Sequence, residues 1–207
     1  MIDLSILAVF VPTFFFVSAT PGMCMTLSMT LGMTIGVKRA LWMMAGELLG
    51  VGLVAILAVI GVAALMLNYP QLFMVFKYLG GAYLCYLGIQ MWLSRGKMAI
   101  SEDFQHNEPA HRSALILQGF ITAVANPKGW AFFISLLPPF LNAEQAVAPQ
   151  LVILVSIILA LEFICLLIYA SGGRTLRKFL EKSGSVRLLN RIAGSLMISV
   201  GVWLAAG

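Results

Sequence analysis

Six long, nearly uncharged runs, separated by short polar stretches, set the pattern of this chain. They cover roughly Ser5–Leu31, Leu41–Leu67, Gln71–Leu93, Ala114–Leu137, Ala148–Ala170 and Leu188–Ala206. About 20 mostly apolar residues in a helix cross the hydrocarbon core of a bilayer. The pattern therefore predicts an all-α integral membrane protein of six transmembrane helices, with residues 1–207 as a single transmembrane domain. The breaks suit this reading: Asn68-Tyr69-Pro70 predicts a tight turn, and Pro138-Pro139 ends the fourth run, since proline cannot continue a helix. The first charge is Asp3, and no other falls before Lys38. That uncharged stretch is too long, and lacks the positive flank, for a cleaved signal peptide, so it reads as a retained first span.

The basic residues then orient the spans. Lys38 and Arg39 follow the first, Arg95, Lys97 and Arg112 lie between the third and fourth, and Arg174, Arg177, Lys178, Lys182, Arg187 and Arg191 lie between the fifth and sixth. The connections after the second and fourth spans carry none. Cytoplasmic loops collect Lys and Arg, so both termini are expected outside, in the bacterial inner (plasma) membrane. The polar stretch 94–113 mixes both signs of charge with little apolar content, and reads as a cytoplasmic linker. It divides a first repeat, about 1–93, from a second, about 114–207.

Composition agrees and excludes other classes. Apolar residues make up 61% of the chain, charged residues 10%, and mean hydropathy is +0.98, against about 25% charged in soluble domains. The net charge of +5 follows from the loop asymmetry, so no nucleic-acid partner is needed to explain it. Cys24, Cys85 and Cys165 all sit in apolar runs, without CxxC or metal-ligand spacing, and His106 and His111 fall in the polar linker. Phosphate-loop and hydrolase motifs are missing. Neither an enzyme, nor a cofactor, nor a metal site is expected.

Two halves of three spans, an odd number, must face opposite ways in the membrane, as in inverted-repeat secondary transporters. Gly81 and Gly88 followed by Trp92 in the third span echo Gly194 and Gly201 followed by Trp203 in the sixth. A stronger signal lies in the first span of each half. Thr20-Pro21-Gly22 interrupts one, and Asn126-Pro127-Lys128-Gly129 the other. Both spans should be broken there, because proline removes a backbone donor and glycine loosens the chain. Freed backbone groups survive in lipid only where protein or a watery cavity satisfies them, and paired interruptions of this kind point to a transport site.

Four charges fall within the predicted spans: Glu47, Lys77, Lys128 and Glu162. Each costs about 2.5–3.5 kcal/mol to place at mid-bilayer on insertion scales, so pairing across the bundle or contact with water is expected. Glu162 and Lys128 fall deep in their runs. Glu47 lies about six residues from the inner end of its run and Lys77 about six from the outer end of its own, where a lysine can snorkel to the surface. Gly46 and Gly50 flank Glu47 and permit close helix approach, turning its carboxylate to the bundle. Gly32 and Gly36 permit another close contact, within one chain or between two copies, so a homodimer stays open.

At this point the chain resembles the LysE/RhtB amino-acid exporters over nearly its whole length. The resemblance is carried by Thr20-Pro21-Gly22, by Gly46-Glu47 with Gly50, by Lys77-Tyr78-Leu79-Gly80-Gly81-Ala82-Tyr83-Leu84 with Leu87-Gly88, by Asn126-Pro127-Lys128 and by Leu161-Glu162. It implies secondary-active efflux of amino acids or close derivatives, by proton antiport with alternating access. It also implies a substrate path through Pro21, Gly22, Glu47, Asn126, Pro127, Lys128 and Glu162. The family's first motif usually reads Pro-Gly-Pro followed by Asn or Asp, whereas this chain has Pro21-Gly22-Met23-Cys24-Met25. Losing a polar group and gaining thioether surface argues for a neutral, apolar or sulfur-containing substrate. Alternatives from other classes are a thiol–disulfide electron conduit, since Cys24 lies three residues after Pro21, a non-transporting membrane assembly subunit, and a metal-ion exporter. The conduit lacks a matching cysteine in Asn126–Trp130, the subunit would not need four intramembrane charges, and sparse acids with no clustered Cys or His argue against the metal exporter.

Overall fold

A computed structural model describes residues 4–93, 111–137, 140–141, 145–181 and 183–206. Pro138-Pro139 and most of the expected linker lie outside them, as do the side chains of Lys77, Pro127 and Lys128. Among the described residues the regular structure is entirely helical: α1 (Leu4–Ala19), α2 (Met23–Thr34), α3 (Val37–Asn68), α4 (Pro70–Leu93), α5 (Arg112–Val124), α6 (Pro127–Leu136), α7 (Val147–Glu181) and α8 (Ser183–Ala206).

Both proline motifs end a helix, for one reason. A residue before proline is disfavoured in the α region, and proline sits best in the first turn of the next helix; the two motifs end a helix where Pro12, inside α1, does not. Thus α1 stops at Ala19 and α2 resumes after Gly22, bent by 57°. Likewise α5 stops at Val124, and Pro127 opens α6. Two helical stretches are long and apolar enough to cross a membrane unaided, Val37–Gly61 and Val147–Gly173, and the bent pair α1–α2 makes a third if counted as one span. At 1.5 Å per residue the 24 residues of α4 and of α8 each reach about 36 Å.

Three boundaries differ from expectation. α7 runs past Ala170 to Glu181, turning at Gly173, whose φ of 41° is open to glycine. The continuation is the basic segment expected to be loop. α5 begins at Arg112, shortening the linker. α3 begins at Val37, directly after Gly36 with φ 83°, so Lys38 and Arg39 are already helical. Glu47 therefore stands ten residues into its helix, about 15 Å, rather than near its end.

Glycines bring the helices together in three pairs. Gly46 lies on the backbone of Ile116, and Gly50 on Phe120 and Ala123, setting α3 parallel to α5. Gly32 lies on Ala170 and Ser28 bonds to the Leu166 carbonyl, setting α2 parallel to α7. Gly88 meets Gly194 and Gly201 meets Gly81, setting α4 antiparallel to α8. A β-carbon at Gly32, Gly46, Gly50, Gly88, Gly194 or Gly201 would stand under 3.0 Å from its neighbour. Small residues are the means by which helices approach in lipid, where no hydrophobic force pulls them together. Gly36, by contrast, meets nothing within 4 Å and serves only the turn. The outer faces stay apolar, with Leu49 and Val152 each 65% exposed, a liability in water that suits lipid.

The buried core falls into two clusters. One gathers Phe10, Phe14, Val54, Phe132, Phe133, Phe140 and Ile158. The other gathers Met25, Met29, Met43, Met44, Cys165 and Tyr169. Glu47, between Met44 and Val51, and Glu162, between Ile158 and Cys165, sit at the seam.

Candidate functional site

At that seam lies a cavity of about 90 Å³, bounded by Ser18, Thr20, Gly22, Cys24, Glu47, Asn126, Gly129 and Glu162 and walled by Phe14, Met23, Met25, Phe132 and Phe133. A water needs roughly 10–15 Å³ measured this way, so the cavity has room for several waters or a small polar head. Both broken helices open onto it. Of the expected site residues, Thr20, Gly22, Cys24, Glu47, Asn126 and Glu162 are brought together here from the α1–α2 break, α2, α3, α7 and the α5–α6 break. The Pro21 backbone lies in the first break and the Pro127 and Lys128 backbones open α6. Lys77 belongs to α4, whose described residues do not line the cavity.

The two acids differ in their surroundings. Glu162 is 9% exposed, and its Oε2 accepts a 2.6 Å hydrogen bond from Ser18 Oγ. Glu47 is fully buried, and neither carboxyl oxygen has a hydrogen-bond partner. Both acids and Cys24 line the same cavity. A buried carboxylate without a partner is costly, so Glu47 calls for a proton or a cationic group beside it.

Each break leaves a helix C-terminus with orphan carbonyls, and each is met by an aromatic donor. Tyr169 Oη donates to the Ala19 carbonyl at 2.7 Å, and Trp130 Nε1 donates to the Val124 carbonyl at 2.8 Å. The breaks also touch: Asn126 Nδ2 donates to Cys24 Sγ at 4.0 Å. Further along, Ser28 Oγ donates to the Leu166 carbonyl at 2.8 Å, tying α2 to α7.

Sequence reasoning missed Ser18, Trp130 and Tyr169. Ser18 is one small polar residue in an apolar run, and Tyr169 stands 150 positions from the carbonyl it caps, so neither had a local signal. Trp130 had one: a donor three residues after Pro127 can reach back across the break.

Residues 15–207 match the LysE type translocator family. The chain is 27% identical over 189 residues to the homoserine/homoserine lactone efflux protein of Salmonella typhimurium, an alignment covering 91% of this chain and 90% of that one. It is 26% identical over 195 residues to the leucine efflux protein of an Enterobacter species, covering 93% and 91%. An uncharacterized membrane protein of Pseudomonas aeruginosa is 31% identical over 171 residues, covering 77% and 76%. No solved structure gives a significant match.

Proposed function

We propose, on the premise that this chain belongs to the LysE type translocator family, that it exports neutral amino acids across the bacterial inner membrane in exchange for protons. The observation that carries this reading is the cavity at the core seam, where two broken helices and two buried acids converge. Two of the relatives add direction and class: they are named as efflux proteins for homoserine and homoserine lactone and for leucine, none of these solutes cationic through its side chain. The walls of Phe14, Phe132, Phe133, Met23 and Met25 suit an apolar side chain. The protein is a carrier, with an amino acid, protons and lipid as its partners, rather than an enzyme.

The six-span inverted repeat is part of the proposal. A two-fold axis in the membrane plane exchanges spans one and four, two and five, and three and six. It then turns a contact between spans one and five into one between spans four and two, and maps the contact of three with six onto itself; alternating spans make the first two pairs parallel and the last antiparallel. The glycine contacts run in those directions. Both termini outside follows from the basic loops.

Transport runs by alternating access. The aromatic cluster closes the cavity on one side and the methionine-rich cluster on the other. Opening one while the other stays packed exposes the acids to one compartment at a time. A substrate ammonium entering from the cytoplasm displaces the bound proton inward; a proton from outside then displaces the ammonium outward. The test is counterflow and efflux in proteoliposomes with a panel of amino acids, with and without an imposed pH gradient. Gradient-driven movement of leucine, methionine or homoserine is expected, and preference for lysine or arginine overturns the apolar assignment.

A further inference from the structure

Resting on that reading of the cavity, we infer that it recognises the two poles of a zwitterion separately: the carboxylate on the first-turn backbone N–H groups of α2, and the ammonium on Glu47. The first hydrogen bond of α2 runs from Thr26 N–H to the Gly22 carbonyl. The N–H groups of Met23, Cys24 and Met25 therefore have no partner within the helix. Gly22 at the N-cap supplies no side-chain cap, and Met23, Cys24 and Met25 place no carboxylate or hydroxyl there. These three residues and Gly22 line the cavity, so uncapped donors at the positive end of a 12-residue helix face its interior, a setting that takes anions.

The independent feature is Glu47, fully buried, lining the same cavity, and without a partner for either oxygen. A cationic head in that position relieves the carboxylate while its own anion relieves the helix. The second broken helix is poorer for this purpose. Pro127 has no N–H, and the Gly129 and Trp130 N–H groups bond to the Asn126 carbonyl at 3.1 and 3.4 Å. Glu162, holding Ser18, is left as the neighbouring proton acceptor.

The test compares leucine with two analogues in wild-type proteoliposomes: leucinamide, assayed where its amine is charged, which lacks the carboxylate, and isocaproate, which lacks the ammonium. Hydrogen bonds to a charged group are each worth about 1.5–3 kcal/mol. Each analogue should therefore compete for counterflow roughly 10- to 150-fold more weakly than leucine. Cys24→Asp sets a carboxylate on the first turn of α2 in place of the ligand's own, so it should abolish the preference for leucine over leucinamide. Leucinamide competing as well as leucine overturns the carboxylate assignment, and isocaproate doing so overturns that of Glu47. Preference that persists in Cys24→Asp but disappears in Lys128→Gln moves the carboxylate site to Lys128 and also overturns it. If no amino acid moves in the wild type, the export reading falls with it, whereas amino-acid transport indifferent to both analogues sinks the pole assignment alone.

Discussion

Gly46 is where helix packing and site geometry meet, and Gly46→Ala puts the tightest demand on both. A β-carbon there would stand 1.9 Å from the Ile116 carbonyl oxygen, 2.6 Å from its carbon and 2.9 Å from its Cα. All three are backbone atoms of a helix, so no rotamer change relieves them. Restoring an ordinary 3.4 Å contact moves α3 and α5 apart by about 1.5 Å, in an interior packed too tightly to absorb it. Overpacking of this kind costs about 1–3 kcal/mol, or several degrees of melting temperature at about 2–4 °C per kcal/mol for a chain of this size. Glu47 is the next residue, and a displacement of about 1 Å in a site can cost 10²-fold in rate, so efflux should fall by up to that factor. Gly61→Ala is the control: its β-carbon meets nothing within 4 Å, and the change should be neutral or stabilising by up to about 1 kcal/mol. Thermal melting in detergent and efflux from proteoliposomes read the two effects. If Gly46→Ala melts and transports like the wild type, α3 and α5 are not in backbone contact, and the site's geometry as described is wrong.

Ser18→Ala removes the hydroxyl that donates to Glu162; efflux should drop about 10-fold or more, given about 1.5–3 kcal/mol for a bond to a charged group, and unchanged efflux would mean the bond plays no part in transport. Tyr169→Phe and Trp130→Phe each leave one helix-end carbonyl, of Ala19 and Val124, without its donor. Each should lower the melting point by the equivalent of about 1–3 kcal/mol, and a melt within error of wild type would show that water replaces the cap. Phe133→Ala opens the apolar wall, and counterflow should shift from leucine toward larger substrates such as phenylalanine, by about 10-fold if a buried aromatic ring's volume is released; an unaltered substrate order would place the side-chain pocket elsewhere.

Much of this was legible in one dimension, for local reasons. Hydrophobic runs mark helices because the bilayer sets their length, and Pro21 and Pro127 mark breaks because the ring forbids the helix at the preceding residue. Family membership also showed in motif order and spacing over the whole chain. Gly46 and Gly50, and the spaced pairs Gly81/Gly88 and Gly194/Gly201, were visible as permission for close contact. What they touch was not visible, since a glycine's partner is set by the facing helix: Gly88 rests on Gly194, over a hundred positions away. Similarly, the continuation of α7 past Gly173 and the early start of α3 turn on backbone dihedrals at glycine, where sequence polarity suggested loop.

From the order of residues alone came a helical membrane protein, the places where two of its helical runs break, and the acids that are costly to hold in lipid. It took the folded bundle to show that Glu47 and Glu162 share one cavity, that Ser18 holds one of them while the other stands unpaired, and that Tyr169 and Trp130 close the broken ends. Burial and proline act through neighbours along the chain and leave a local trace. Pairing across a bundle depends on which faces meet, and that is settled by the packing of all the helices at once.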